Sequence, residues 1–274
     1  MQFRSLHPEF GVEVLEFDIH RGGTPEEIAQ LREAYDRHQM LLFRGQGRIA
    51  PQRHVELTSW FGPPAPVSNV EGDNCVSVLQ NGDDAGSMKL PFHSDMTYTD
   101  DPVRTICLQA IALPDAPTST TYVSGMAAWD ALPEALQAEL ADKTLRHFYS
   151  TRMADFDWPD FIAEHPVRKL HPRNGRPILF VTENHAERIL ECDESRSDQL
   201  IEELFDYLYA PERKYEHVWQ KDDLLLWDNL ALQHARTKHS DPVQGKRALQ
   251  RVALCDTALP ELIERARARE VLSG

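Results

Sequence analysis

Hydrophobic and polar positions along this chain alternate over short runs more often than they repeat at helical spacing. Residues 11–19 (GVEVLEFDI) alternate loosely and predict a strand. A helix follows with several agreeing start signals: Thr24 can cap, Pro25 suits the first helical position, and Glu27 completes a capping box. Ile28, Leu31 and Tyr35 then repeat at helical spacing, which carries the helix to about His38. The apolar run 40–44 predicts a buried strand ended by Gly45, and residues 51–60 a second helix closed by Phe61-Gly62 and a Pro-Pro turn. Residues 63–90 read as a loop region around one strand-like piece, 76–79. Downstream, 104–111 and 118–123 read as strands. Residues 125–140 read as one helix with Leu132, Leu136 and Leu140 on a stripe, and 170–181 as a hairpin turning at Asn174-Gly175. Leu200, Ile201, Leu204 and Leu208 mark another amphipathic helix. Residues 223–227 and 248–254 are the last strands, and a charged helical tail follows Pro260. Residues 148–170, rich in Trp, Phe, Asp and Pro, show no clear period. Many short strands with helices outside them predict a mainly β fold with flanking helices, its antiparallel sheet closed into a sandwich or barrel.

Composition narrows the function classes. The chain has 274 residues, 41% of them hydrophobic, enough for one large domain or two small ones; a single domain over 1–274 is the expectation. A formal net charge of −15 argues against nucleic acid or an anionic membrane as the main partner. It leaves room for an anionic small molecule, because a few local arginines can dominate a pocket. No apolar run approaches a membrane span, and the N-terminus lacks a signal-peptide hydrophobic region. Cys75, Cys107, Cys192 and Cys255 are widely spaced and read as free buried thiols of a cytoplasmic protein.

The chemistry centres on Pro91-Phe92-His93-Ser94-Asp95-Met96-Thr97-Tyr98. On a strand, residues i and i+2 point to one face, so His93 and Asp95 can aim a nitrogen and an oxygen at one point. A third ligand has to come from elsewhere, and His234 after Trp227-Asp228-Asn229 is preferred over its competitor His239. Two histidines and one carboxylate with open positions are the pattern of non-haem Fe(II) oxygenases. A lone His-x-Asp is a weak signal, since most such tripeptides are surface polar residues. Asp228 and Asn229 are expected to hold a turn and hydrogen bonds around the site, and His165 and His171 to be structural. Arg44, Arg168 and Arg236 read as solvated or paired side chains, and Trp227 and Phe92 as core or pocket wall.

Other stretches turn this weak signal into a pattern. "FGVEVLEFDI", "LLFRGQ", "WFG", "FHSDMTY", "VSGMAAWDALP", "HPRNGRPILFV", "WDNLALQHA" and "RALQRVAL" occur in one order over roughly residues 9 to 256. In this the chain resembles the taurine dioxygenase/TfdA family of Fe(II)- and 2-oxoglutarate-dependent dioxygenases. The resemblance implies a double-stranded β-helix (jelly roll) core with flanking helices. It implies Fe(II), 2-oxoglutarate and O2 as cofactors, with His93, Asp95 and His234 as iron ligands. By position, Arg247 matches the arginine that binds the far carboxylate of 2-oxoglutarate. Thr120 matches its supporting hydroxyl, although Thr118, Ser119 and Thr121 crowd the same stretch. Arg251 matches a second arginine near the iron that can meet an acidic substrate group. The spacing of Arg247 and Arg251 agrees with a shared strand face, and arginine suits a carboxylate through its planar fork.

The implied reaction couples decarboxylation of 2-oxoglutarate to succinate and CO2 with oxidation of a C–H bond in a small-molecule substrate. Hydroxylation, desaturation and hydroxylation-triggered cleavage are all outcomes known in the family. Asp95 disfavours halogenation, since halogenating relatives replace this carboxylate with a small residue. Pro63-Pro64-Ala65-Pro66-Val67 stands where the taurine enzyme has histidines, so taurine is disfavoured. Lys89 and Arg251 are expected to hold an anionic group, with Met96 lining the pocket. Residues 148–170 are the expected lid or insert, with Phe156, Trp158 and Phe161 facing the substrate. Pairing with a second copy is open, because family members often pair. The rival reading is a non-catalytic jelly-roll protein that binds metal or a small molecule. Metal-dependent hydrolysis, a third reading, would leave Arg247 unexplained.

Overall fold

Two sheets set the position of everything functional. The computed structural model describes residues 1–65, 75–80, 89–151, 158–236 and 245–273. The larger sheet has seven strands in the order β1 (Gln2–Ser5), β2 (Val12–Leu15), β3 (Met40–Phe43), β14 (Leu224–Asp228), β6 (Thr105–Ala112), β16 (Ala248–Leu254), β4 (Val76–Gln80). Its pairs are antiparallel except β2 with β3. Facing it is a four-stranded antiparallel sheet in the order β13 (Tyr215–Val218), β7 (Ser119–Ser124), β15 (Leu232–Arg236), β5 (Leu90–His93). A three-stranded sheet, β12 (Ala186–Ile189), β8 (Thr144–Tyr149), β9 (Phe161–Pro166), and a hairpin of β10 (Arg168–Leu170) with β11 (Pro177–Leu179) complete the β structure among the described residues. With six α-helices among the described residues added, the architecture is mixed α/β with several antiparallel sheets, more helical than the mainly β expectation.

Strands β3 and β14 of the large sheet are buried at every position because both faces of the sheet are covered there. In β14, Leu224 and Leu226 join a core with Leu31, Tyr35 and Leu57 of helices α1 (Pro25–His38) and α2 (Pro51–Ser59). Leu225 and Trp227 point the other way, into a core shared with Tyr122 and Leu232 of the smaller sheet. Strand β3 divides in the same manner, Leu41 and Phe43 toward the helices, Met40 and Leu42 toward the second sheet. Each such buried leucine contributes roughly 1.5–3 kcal/mol. A third core gathers α3 (Gly125–Ala131), α4 (Glu134–Leu140) and α5 (Glu194–Leu208) around Leu145, Val181 and Ile189.

Local signals account for several boundaries. Helix α1 starts with the full capping box: Thr24 accepts from the Glu27 amide while the Glu27 side chain accepts from the Thr24 amide. The helix expected over 125–140 is two helices instead. Pro133 has no N–H to donate and drives Leu132 into an extended conformation (ψ 141°), so α3 ends there and α4 starts afresh. The Asn174-Gly175 hairpin is present, with Gly175 at φ 68° inside a connection spanning residues 171–176. A final helix, α6 (Leu259–Ser273), follows β16.

Strands β1, β8, β9, β12, β13 and β15 have no counterpart in the sequence reading. In β9, Phe161, Ala163 and His165 are buried while Ile162, Glu164 and Pro166 are exposed, a clean alternation hidden because an isoleucine faces out and a histidine in. Much of the stretch expected as a lid or insert, 148–170, is therefore sheet. Its residues 152–157, Phe156 among them, lie outside the described residues, as do Pro66, Val67 and His239. No described helix is long and apolar enough to cross a membrane.

Candidate metal centre and its cavity

The two candidate histidines meet through sheet register. Strand β15 pairs with β5 so that His234 lies directly opposite His93. Side chains on directly opposed residues share a face, and the two imidazole centroids are 4.2 Å apart. Asp95 joins them by a route other than the expected one. Strand β5 ends at His93, and Asp95 occupies a turn in which Met96 takes a left-handed conformation (φ 63°). Its Oδ1 lies 3.4 Å from His93 Nε2 and 3.6 Å from His234 Nε2. One ligand atom from each of the three falls within 4.8 Å of the others, and among the described residues no other such group is found.

Hydrogen bonds fix the donors. His93 Nδ1 lies 2.8 Å from the Pro91 carbonyl, which can only accept, so Nδ1 carries the proton and Nε2 turns its lone pair inward. Burial pushes the His234 pKa down to about 3 and keeps that imidazole neutral. Burial alone would raise the Asp95 pKa, but in the metal-free site the hydrogen bond that a doubly protonated His93 gives, then the charge of Arg251, outweigh it and hold the carboxyl well below its ordinary range; a metal would take the place of that Nε2 proton. The Nε2 atoms of two imidazoles and a carboxylate oxygen thus converge on one point that a cation can occupy. The donor set fits a divalent transition metal.

The turn bearing Asp95 is held by Asn229, which is fully buried. Asn229 Oδ1 accepts from the Asp95 amide at 2.9 Å, and its Nδ2 donates to the carbonyls of Asp95 (3.2 Å) and Val103 (2.7 Å). Asp228 holds the neighbouring turn: Oδ1 accepts from the amides of Leu230 and Ala231, and Oδ2 from His171 and Arg173. Both residues therefore support the site without entering it, as expected.

The centre opens into a cavity of about 470 Å³ between the two large sheets. Arg247, Leu249 and Arg251 line it from alternate positions at and along β16, which is the shared face expected of the two arginines, even though the ladder shifts register at Ala248/Leu249. Arg247 is buried, and burial, then the charge of Arg236, lowers its pKa to about 10. Thr120 also lines the cavity, its Oγ1 accepting from Trp219 Nε1 at 3.0 Å. Arg251 donates to Asp95 Oδ2 at 2.7 Å.

Over residues 2–253 the sequence matches the model of the Taurine catabolism dioxygenase TauD, TfdA family. The chain belongs to this family. Its members are 2-oxoglutarate-dependent non-haem iron dioxygenases, and Fe(II) and 2-oxoglutarate are the cofactors the family implies here. The chain is similar to the (S)-phenoxypropionate/alpha-ketoglutarate-dioxygenase of Sphingobium herbicidovorans, at 28% identity over 229 residues, covering 76% of this chain and 79% of the relative. It is also similar to the alpha-ketoglutarate-dependent 2,4-dichlorophenoxyacetate dioxygenase of Cupriavidus pinatubonensis, at 25% identity over 283 residues, 93% of this chain and 97% of the relative. A crystal structure of a taurine dioxygenase from Burkholderia xenovorans shares the fold with a TM-score of 0.81 and 24% identity, covering 93% of this chain and 90% of that one.

The remaining expectations divide. Met96 lines the cavity. Lys89 is exposed and outside the cavity wall, whereas the next residue, Leu90, lines it; neighbours at a strand entrance face opposite ways. His165 is structural, with its Nε2 on the Thr99 carbonyl at 2.9 Å, and so is His171 on Asp228. Phe92 stacks on Tyr209 in a small core, and Trp227 serves both core and cavity wall. Trp158 lines the cavity, but Phe161 packs on Tyr98 instead. Arg44 pairs with Asp223 at 2.7 Å. Arg236, read as a solvated or paired side chain, is a cavity wall residue two positions after His234. Sequence reasoning also missed Tyr98, Tyr149, Asn184 and His185 in that wall. His185 is buried between Thr97 Oγ1 and Asn184 Nδ2, each 3.0 Å from one ring nitrogen.

Proposed function

We propose that this dioxygenase oxidises a C–H bond of a small anionic metabolite, releasing succinate and CO2, on a double-stranded β-helix core. The observation that carries the reading is the convergence of His93 Nε2, Asp95 Oδ1 and His234 Nε2 at the floor of a cavity whose wall also holds Arg247 and Thr120. In this reading the three residues hold Fe(II). When bound, the metal with 2-oxoglutarate supplies the oxidising chemistry, and the protein supplies aim and dryness.

Arg247 is suited to the far carboxylate of 2-oxoglutarate. A guanidinium whose charge is disfavoured by burial and by Arg236 gains from an arriving anion, and its fork fits a carboxylate with two parallel bonds. Thr120 accepts from the Trp219 indole, which leaves its own hydroxyl proton available to that same carboxylate. Arg251 is a cation beside the centre for an acidic substrate group. Lys89, set outside the wall, is given no part in this reading. Tyr98, Tyr149 and Trp158 offer an apolar surface for the body of the substrate. A volume near 470 Å³ falls in the range that encloses small ligands. The two relatives named above act, by their names, on carboxylates, phenoxypropionate and 2,4-dichlorophenoxyacetate. That agrees with an anionic substrate and, with the Pro63-Pro64-Ala65 segment, turns the reading away from taurine. Four cysteines outside any disulfide, of which Cys107 and Cys255 are buried and Cys75 and Cys192 only partly so, contrary to the expectation of four buried thiols, suit with a ferrous cofactor a reducing compartment, the cytoplasm.

The test is anaerobic spectroscopy of metal-free protein loaded with Fe(II), with and without 2-oxoglutarate. Chelation of the keto acid should give a visible charge-transfer band that His93→Ala and Asp95→Ala abolish. Succinate release then screens small carboxylates, sulfonates and phosphonates. Well-folded, iron-loaded protein without the band would refute the reading.

A further inference from the structure

The two oxygens of Asp95 are divided between different partners. Oδ1 faces both imidazoles, at 3.4 and 3.6 Å, while Oδ2 accepts from Arg251 Nη2 at 2.7 Å. The division needs a cause, because Asp95 sits in a turn and its terminal torsion, between tetrahedral and planar carbon, is broad and roughly two-fold. Left alone, the carboxylate would swing, and both oxygens could meet one cation. Arg251 comes from the opposite kind of support. It lies within β16, paired to Leu108 on one side and Ser77 on the other, so its guanidinium is delivered from a strand laddered on both edges.

We infer that Arg251 is a positioning residue for Asp95: by holding Oδ2 it reserves Oδ1 alone for the metal. The inference rests on the metal-centre reading and deepens it. One-oxygen ligation leaves open positions that a cosubstrate chelating through two atoms requires, and two-oxygen ligation would take one of them. The pair is also charge-assisted and largely out of water, side chains 16% and 24% exposed, which makes it a firm anchor. A substrate anion that reaches Arg251 would share the guanidinium with Asp95, so substrate arrival and ligand geometry are linked through one side chain.

The test is metal binding, with no turnover involved. Full-length, metal-free protein is titrated with Co(II) against a chelating dye, and the visible ligand-field spectrum of the Co(II) form is recorded. Removing a hydrogen-bond partner of a metal ligand typically weakens affinity about 10–100-fold, and Arg251→Ala should do so with an altered spectrum. Arg251→Lys, which keeps the charge with a single point donor, should fall between Arg251→Ala and the wild type. If Arg251→Ala fails to fold by circular dichroism, Arg251→Lys decides alone: weakened affinity with a changed spectrum supports the inference. Wild-type affinity and spectrum in the folded variants overturn it. Failure of the parent reading looks different, because wild-type protein would then bind Co(II) no better than Asp95→Ala.

Discussion

Asn229→Ala is the substitution that asks most of the site's construction. The Asn229 amide is fully buried and makes three hydrogen bonds, two to the backbone of Asp95 and one to the Val103 carbonyl. Each is worth about 1 kcal/mol net, and stranding a buried backbone group adds about 1–3 kcal/mol, so the loss should be roughly 4–6 kcal/mol. For a chain of this size about 1 kcal/mol moves the melting temperature by roughly 2–4 °C, which puts the expected drop between about 8 and 24 °C. The same change loosens the turn that carries one metal ligand, and Co(II) affinity should fall about 10–100-fold. Thermal unfolding of the metal-free protein reads the first effect and a chelator-competition titration the second. Asn229→Asp, which keeps the acceptor for the Asp95 amide but loses both donations, should also be destabilised. If Asn229→Ala melts within about 2 °C of wild type and binds Co(II) as tightly, the turn is held by something else and the argument is wrong.

Other outcomes follow from the same geometry. Arg247→Ala should weaken 2-oxoglutarate binding about 10- to 100-fold, as loss of a charge-assisted pair predicts, while Fe(II) affinity stays unchanged; Thr120→Val should cost only a few-fold, both read from the charge-transfer band. Thr24→Ala removes one half of the α1 capping box and should cost about 1 kcal/mol in urea denaturation with no effect on metal binding. Stability should also fall with acid before the carboxylates titrate. Burial lowers the pKa of His54 to about 3 and that of His165 to about 4, the latter helped by the charge of Lys169. Both folded values lie below the ordinary value near 6.5, so the unfolded chain takes up protons first. Their contribution is complete above about pH 6.5 and is lost as pH falls toward 4 and 3, at up to about 1.4 kcal/mol per pH unit for each histidine. Urea midpoints between pH 7 and pH 5 should show this slope in metal-free protein, and His165→Gln should make it shallower; an unchanged slope would count against the assignment.

What could be read in the sequence was local. Helix α1 appears with the start, cap and end its residues specify, because every signal lies within one turn of the feature it controls. The break at Pro133 was equally local, and the leucine stripe hid it by continuing at helical spacing on both sides of the proline. Long-range pairing had no such signal. That His234 lies opposite His93 is a property of β5–β15 register, which neither segment specifies by itself. The wall residues Tyr149, Asn184 and His185 come from segments whose local pattern says nothing about a cavity. Arg236 is different: its spacing from His234 along β15 carried the same information used for Arg247 and Arg251, and it went unused.

The His-x-Asp motif shows how a correct conclusion can rest on the wrong element. Alternation along a strand places residues i and i+2 on one face, and the two side chains do converge, but the strand stops at His93 and Asp95 arrives through a turn with Met96 left-handed. A residue in β5 is held by its ladder with β15; a turn residue is not. The support a ladder would give must then come from side chains. Asn229 supplies it to the Asp95 backbone, and Arg251 supplies it to the carboxylate. The left-handed step at Met96, which costs roughly 1–2 kcal/mol, persists because these contacts over-determine the turn. Placing Asp95 off the ladder also frees its carboxylate to lie across both imidazoles rather than beside one. The arrangement predicts that loosening either clamp will move the metal-binding measurements well before it unfolds the sheets.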